Sequence, residues 1–261
     1  MLRYLALGLL QGLTEFLPVS SSGHLVLAKA LLGLHPPGVA LEGALHLGTL
    51  VAVLVYFRGD IRALIRGCLQ GKRDSWVYIG FLGLATVPAV AVGLLLRERI
   101  EGAFSSVPTV GSALLLTAVL LLAADRLSWR AVRREVGVGS AVAVGLAQAA
   151  SLVPGISRSG STISAAILSG TRPATAARFS FLLSIPVILG AGGLSLWQGA
   201  NQGIPRDEAL GLLVGGVVAA LSGLLAIRVL LVLLDRRRLS WFALYCFLLG
   251  GTALGWGLLR T

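Results

Sequence analysis

Two stretches of this chain place reactive side chains inside otherwise apolar sequence. Residues 8–24 read Gly-Leu-Leu-Gln-Gly-Leu-Thr-Glu-Phe-Leu-Pro-Val-Ser-Ser-Ser-Gly-His and carry Gln11, Glu15, Ser20, Ser21, Ser22 and His24. Residues 152–162 read Leu-Val-Pro-Gly-Ile-Ser-Arg-Ser-Gly-Ser-Thr and carry Ser157, Arg158, Ser159, Gly160 and Thr162. In the first stretch Pro18 ends a half-helix, Gly23 permits a tight turn, and a new helix is predicted to begin near His24 or Leu25. Serine hydroxyls and free amides at such a helix start form an anion site. The plainer reading, in which the serines only cap the helix, leaves a run of three serines and a histidine at membrane depth unexplained.

The second stretch repeats the design and adds a cation. The planar fork of Arg158 fits phosphate oxygens. A lone arginine in apolar surroundings costs several kcal/mol unless it is partnered, so the competing reading is a structural salt bridge to Glu15. Gln11 and Glu15 are four residues apart and share one helical face. A carboxylate beside a phosphate repels it unless it is protonated or a divalent cation lies between them. Mg²⁺ or Ca²⁺, held by Glu15 with Gln11, satisfies that requirement. His24 titrates near neutrality and suits proton transfer. His35 and His46 read as structural, and Gln148 and Glu42 as outer supports.

Together these residues provide phosphate binding, metal ligation, a nucleophile and a proton carrier among apolar helices. That combination describes a hydrolase acting on a lipid-linked phosphate or diphosphate, with either Ser21 or a water as nucleophile. Two other readings compete with it. A lipid-phosphate flippase would move lipid even as a hydrolysis-dead Glu15→Gln variant. An intramembrane serine protease built on Ser21 and His24 would leave Arg158 without a role.

The elements that position these residues follow from composition. Of 261 residues, 56% are hydrophobic and 13% charged, and the mean hydropathy is +0.88. Soluble domains carry about 25% charged residues, so the chain is expected to be an all-α, polytopic membrane protein forming one integral domain over 1–261. The net charge of +11 is spread through short loops between apolar runs, a pattern of membrane topology and not of nucleic-acid binding. Cys68 and Cys246 have neither disulfide nor metal spacing and read as free thiols. The first apolar stretch lacks a signal-peptide pattern and is expected to be retained.

Six runs are long enough to cross a bilayer: 39–57, 76–96, 102–124, 179–200, 209–234 and 239–259. Charged loops are expected at 58–74, 97–101, 125–135, 206–208 and 235–238. The two broken stretches, 4–33 and 137–170, read as re-entrant helical hairpins. At an offset of 137, Gly8, Leu9, Gln11, Ser20, Ser22, Gly23, Ala28, Leu31 and Gly33 fall on identical residues from Gly145 to Gly170. Three spans separate the copies, which predicts an inverted repeat with halves about 1–124 and 125–261 and a binding site where the hairpins meet. Placing loops 58–75, 125–136, 171–178 and 235–238 on one side, with Arg228 near the end of its span, gathers fifteen Lys and Arg there against six on the other. The basic side is then cytoplasmic, and both termini are extracytoplasmic.

The stretches Gln11-x-x-x-Glu15, Glu15-Phe-Leu-Pro-Val-Ser-Ser-Ser-Gly-His24, Pro154-Gly-Ile-Ser-Arg-Ser-Gly-Ser-Thr162 and Phe179-Ser-Phe-Leu-Leu-Ser-Ile-Pro186 resemble the undecaprenyl-diphosphate phosphatases, also called bacitracin-resistance proteins. The resemblance runs the length of the chain. It implies a bacterial plasma-membrane enzyme that removes the terminal phosphate of undecaprenyl diphosphate and so supplies the carrier for peptidoglycan synthesis. It also implies a divalent metal, and bacitracin resistance on overproduction. Glu15, His24, Ser21 and Arg158 would be catalytic; Ser20, Ser22, Ser157, Arg158, Ser159, Gly160 and Thr162 would hold phosphate; Glu15 and Gln11 would hold metal. Homodimerisation stays open. The chain departs from the pattern at Gln11, where a glutamate is common, and at Arg178, where an acidic residue is expected.

Overall fold

The computed structural model describes residues 1–32, 39–104, 106–201 and 206–259; His35, Gly33 and Arg260 lie outside them. Twelve α-helices are found among the described residues: α1 Leu2–Phe16, α2 Ser21–Leu32, α3 Val39–Tyr56, α4 Arg58–Leu69, α5 Arg73–Leu95, α6 Arg97–Ala103, α7 Val107–Leu127, α8 Val138–Ala150, α9 Arg158–Leu168, α10 Pro173–Asn201, α11 Arg206–Asp235 and α12 Leu239–Leu258. Among the same residues, extended pairing is limited to one isolated bridge between Arg133 and Thr171. Five helices, α5, α7, α10, α11 and α12, are long and apolar enough to cross a membrane, and α3 with α4 adds a sixth if that bent pair is one span.

Three expected loops turn out to be helical. Residues 58–69 form α4, bent 72° from α3. Its charges hide an amphipathic period: Ile61, Leu64, Ile65 and Cys68 share one face, and Arg58, Arg62 and Arg66 another. Ile65 and Leu69 are 54% and 83% exposed, the pattern of a helix that lies in a membrane interface. Residues 97–103 form the short α6, so the next span begins at Val107 and not at 102. There Ser106 caps α7 by accepting a hydrogen bond from the Thr109 amide at 3.3 Å. Helix α11 starts at Arg206, inside the expected loop 206–208.

Small residues bring the long helices together, as membrane helices require in the absence of a hydrophobic drive. A Cβ added at Gly8 would lie 2.5 Å from the Gly215 carbonyl, and one at Gly12 would overlap Ser222, so α1 lies tightly on α11. Gly145 plays the same part between α8 and α5, where an added Cβ would meet Ala85 at 3.0 Å. Gly48 against Gly216 joins α3 to α11, and Gly111 against Gly250 joins α7 to α12. Phe16 meets Phe181 edge to face with centroids 5.6 Å apart, and Phe57 packs tilted against the same ring at 5.7 Å. Phe16 is 1% exposed and anchors the end of α1 one residue beyond Glu15.

Candidate active site

Both polar stretches are breaks between helices, and the breaks meet. Helix α1 stops at Phe16 because Pro18 forces Leu17 into extended backbone, with φ −64° and ψ 140°. The chain then reverses at Ser20, whose φ is +69°. Helix α2 begins at Ser21, three residues before the expected start at His24. The Ser20 hydroxyl accepts from the Gly23 amide at 3.2 Å and lies 3.3 Å from the Ser22 hydroxyl. Gly23 therefore does not make the turn; it allows contact, since a Cβ there would stand 3.2 Å from the Gly155 Cα.

The second break repeats this geometry. Ser157 caps α9, its hydroxyl accepting from the Gly160 amide at 3.1 Å and lying 3.3 Å from that of Ser159. A Cβ on Gly160 would stand 3.2 Å from the Cβ of Pro18. Gly155, with φ +99°, sits so close to α7 that a Cβ would be 2.5 Å from the Val110 carbonyl, a double demand only glycine meets. Thr117 on α7 pins the turn: its hydroxyl donates to the Gly155 carbonyl at 3.1 Å and accepts from the Ser157 amide at 3.1 Å. Cys246 on α12 donates its thiol to the Pro18 carbonyl at 3.5 Å, and Pro18 is the equivalent of Gly155. Neither Cys246 nor Cys68 is in a disulfide.

Between the breaks lies a cavity of about 160 Å³ whose polar lining includes Glu15, Ser20, Ser21, Ser22, Ser157 and Arg158. Glu15 is the hub. Its Oε1 accepts from Arg158 Nη2, while its Oε2 accepts from the Ser21 hydroxyl at 2.7 Å and from Gln11 Nε2 at 3.0 Å. The salt bridge posed as a competing reading is therefore present, and it does not exhaust the arginine: Nη1 is buried without a partner. A buried guanidinium nitrogen left open beside a serine-lined cavity is a charged donor that still calls for an acceptor. The Glu15 charge, which would otherwise repel an anion, is balanced by the same arginine.

Other expected members sit elsewhere. Ser159 donates to the Leu17 carbonyl at 3.3 Å, Thr162 to the Arg158 carbonyl at 2.7 Å, and Gly160 is a packing position; all three support the turn from outside the cavity. His24 faces α12, its Nδ1 2.8 Å from the Ser20 carbonyl and its Nε2 2.6 Å from the Tyr245 hydroxyl. His46, read as structural from sequence, lines the cavity together with Gln148. Gln148 donates to the Ala85 carbonyl at 3.1 Å. Sequence reasoning also passed over Thr117, although it interrupts the apolar run 113–122 and so carried a legible signal. Arg178 pairs with Asp60 of α4 at 3.0 Å and borders a larger cavity of about 430 Å³ at the charged ends of α5 and α10.

Among the described residues, no three His, Cys, Asp or Glu side chains gather as a metal centre. The donor set near Glu15 is nonetheless one of hard oxygens, because the Gln11 Oε1 is buried without a partner.

The fold and site thus define a polytopic helical membrane protein with a serine-lined cavity, holding a Glu15–Arg158 ion pair, between two helix breaks. Residues 4–252 match the family model described as "Bacitracin resistance protein BacA", and the chain belongs to this family. It is 43% identical over 249 residues to the undecaprenyl-diphosphatase of Halothermothrix orenii, with 95% of each chain covered. It is 44% identical to the proteins of that name from Syntrophotalea carbinolica, over 260 residues, and Geobacter sulfurreducens, over 259, with 96% of each chain covered in both cases.

Proposed function

We propose that this chain hydrolyses undecaprenyl diphosphate to the monophosphate and inorganic phosphate, the activity for which its relatives are named. The observation that carries the reading is the Ser21–Glu15–Arg158 cluster, with its open guanidinium nitrogen, in a serine-lined cavity among apolar helices. The Ser21 oxygen attacks the terminal phosphorus in line with the bridging oxygen, and its proton passes to Glu15 Oε2 along the existing hydrogen bond. The bridging bond breaks, its electron pair leaves with the lipid monophosphate, and phosphate stays on Ser21. Arg158 Nη1 and the amides at the start of α9 balance the charge that develops on the transferred group. Water then releases the phosphate, and Ser21 regains its proton from Glu15.

Glu15 and the Gln11 oxygen would hold a Mg²⁺ or Ca²⁺ ion, with substrate oxygens completing its shell. When bound, such an ion neutralises diphosphate charge.

Reciprocal contacts support reading the chain as two inverted copies with re-entrant hairpins. Gly23 lies on Gly155 and Gly160 on Pro18, and each partner is the other's equivalent at the offset of 137. Helix α1 packs on α11 as α8 packs on α5. Such exchange of partners is the mark of a two-fold relation, and a two-fold axis in the membrane plane places the site between the halves. The basic loops favour an orientation with both termini outside the cytoplasm, and the family likeness favours a bacterial plasma-membrane location.

The test is phosphate release from undecaprenyl diphosphate by the purified protein. Arg158→Ala is expected to lower the rate by about 10²–10³-fold, the usual loss when one charge-stabilising donor is removed. Undiminished release by that variant would refute the assignment.

A further inference from the structure

The two histidines near the breaks differ in what their rings have left to offer. A carbonyl oxygen only accepts, so the 2.8 Å contact of His24 Nδ1 with the Ser20 carbonyl fixes the hydrogen on Nδ1. Its Nε2 lone pair is then taken by the Tyr245 hydroxyl at 2.6 Å, and the two rings stack with centroids 5.6 Å apart. Both nitrogens of His24 are engaged, and the ring lies outside the cavity lining. His46 has the opposite disposition. Its Nδ1 donates to the Glu42 carbonyl one turn back on α3, at 2.8 Å, so the neutral ring carries its lone pair on Nε2. Among the described residues no hydrogen bond engages that Nε2, and the side chain lines the cavity with Glu15, Ser21 and Arg158.

The surroundings leave room for this ring. Helix α10 presents Gly192 where His46 stands, and a Cβ added at Gly192 would come within 3.0 Å of the His46 Cβ. A side chain at position 192 would press on the His46 Cβ, which would have to give by a few tenths of an ångström.

We propose that His46 is the general base of the second half-reaction, accepting a proton at Nε2 from the water that releases phosphate from Ser21. This inference rests on the phosphatase reading above, with Ser21 as nucleophile. In the step, the water oxygen bonds to phosphorus as the bond from phosphorus to the Ser21 oxygen breaks. One water proton goes to His46 Nε2, the departing electron pair goes to the Ser21 oxygen, and that oxygen takes back the proton stored on Glu15. The imidazolium then loses its proton to the departing phosphate or to solvent. Water, lipid diphosphate and enzyme enter, and lipid monophosphate, inorganic phosphate and unchanged enzyme leave. His46 thereby separates two duties: Glu15 serves the serine, and the histidine serves the water.

The experiment uses the full chain in detergent with undecaprenyl diphosphate labelled in its terminal phosphate. Wild type is run first, because absence of phosphate release there would fail the underlying phosphatase reading and not the assignment of His46. In His46→Ala and the similarly sized His46→Gln, steady release is expected to fall at least about 10²-fold, the usual contribution of a general base. Label should accumulate covalently on Ser21 in both. Added imidazole should restore release in His46→Ala, where a ring-sized space opens onto the cavity, and leave His46→Gln unchanged. Near-wild-type release by either variant overturns the proposal. So does lost release without labelled Ser21 in variants that keep the wild-type melting transition, because His46 would then serve the first step or none.

Discussion

The break between α1 and α2 and the break between α8 and α9 share a backbone and differ in their chemistry. In each, a serine caps the new helix through a glycine amide, at 3.2 Å in the first and 3.1 Å in the second. In each, a second serine lies 3.3 Å from the cap, and one carbonyl is held by a donor from a neighbouring span, Cys246 or Thr117. The differences fall where side chains reach the cavity. Ser21 and Arg158 occupy equivalent positions at the offset of 137, and Glu15 is matched by Leu152. Gln11, beside a carboxylate, donates to it; Gln148, with no carboxylate to serve, turns to the Ala85 carbonyl. The repeated part is the scaffold that opens a helix inside an apolar bundle, while the Ser21 hydroxyl, the Glu15 carboxylate and the Arg158 guanidinium are placed once each.

The strongest challenge to that comparison is an exchange. The double variant Ser21→Arg, Arg158→Ser keeps both residue types but moves the serine beside Leu152, away from Glu15. Its phosphate release is expected to fall by at least about 10³-fold, more than one charge-stabilising donor contributes. Activity near wild type would mean that the two breaks are chemically interchangeable.

A smaller effect is expected from the paired positions Gly155 and Pro18. Gly155→Ala meets both the positive φ and the Val110 carbonyl and should destabilise by about 3 kcal/mol, as strained, overpacked sites do. Pro18→Ala, at the equivalent place, should cost about 1 kcal/mol or less. Melting midpoints of the purified variants measure the difference, and equal losses would contradict the description of the second turn as the tighter one.

The smallest effect concerns the two tethers. Thr117→Val abandons a buried carbonyl and a buried amide and is expected to cost about 2 kcal/mol. Cys246→Ala removes only one long thiol contact and should cost about 1 kcal/mol. The same melting assay ranks them, and a reversed order would shift the stronger tether to the first break.

The order of the long helices was legible in the sequence, because apolar runs such as 209–234 and 239–259 leave membrane crossing as the only use for their surface. Gln11, Glu15, Ser21 and Arg158 were legible for a related reason: polar groups at that depth are costly without a task. Helix α4 was hidden because its arginines lower the mean hydropathy of a segment whose periodicity, not its average, carries the helix. The start of α2 was misplaced because Ser20, a residue not expected at φ +69°, took the reversal assigned to Gly23. The exchange of prominence between His24 and His46 was not readable at all. It depends on which carbonyls and hydroxyls neighbouring helices bring to each ring, and adjacency in sequence to the serine run says nothing of that.

The ion pair between Glu15 and Arg158 joins residues 143 positions apart, so it clasps the two halves of the chain as well as arming the cavity. Removing either charge leaves the other stranded, at a cost of about 3–5 kcal/mol. Cells degrade marginally stable chains, and losses of that size reduce how much protein accumulates. Screens that score such variants by growth under drug pressure will therefore mix scarcity with impaired turnover, and only rates normalised to the amount of intact protein in the membrane separate the two.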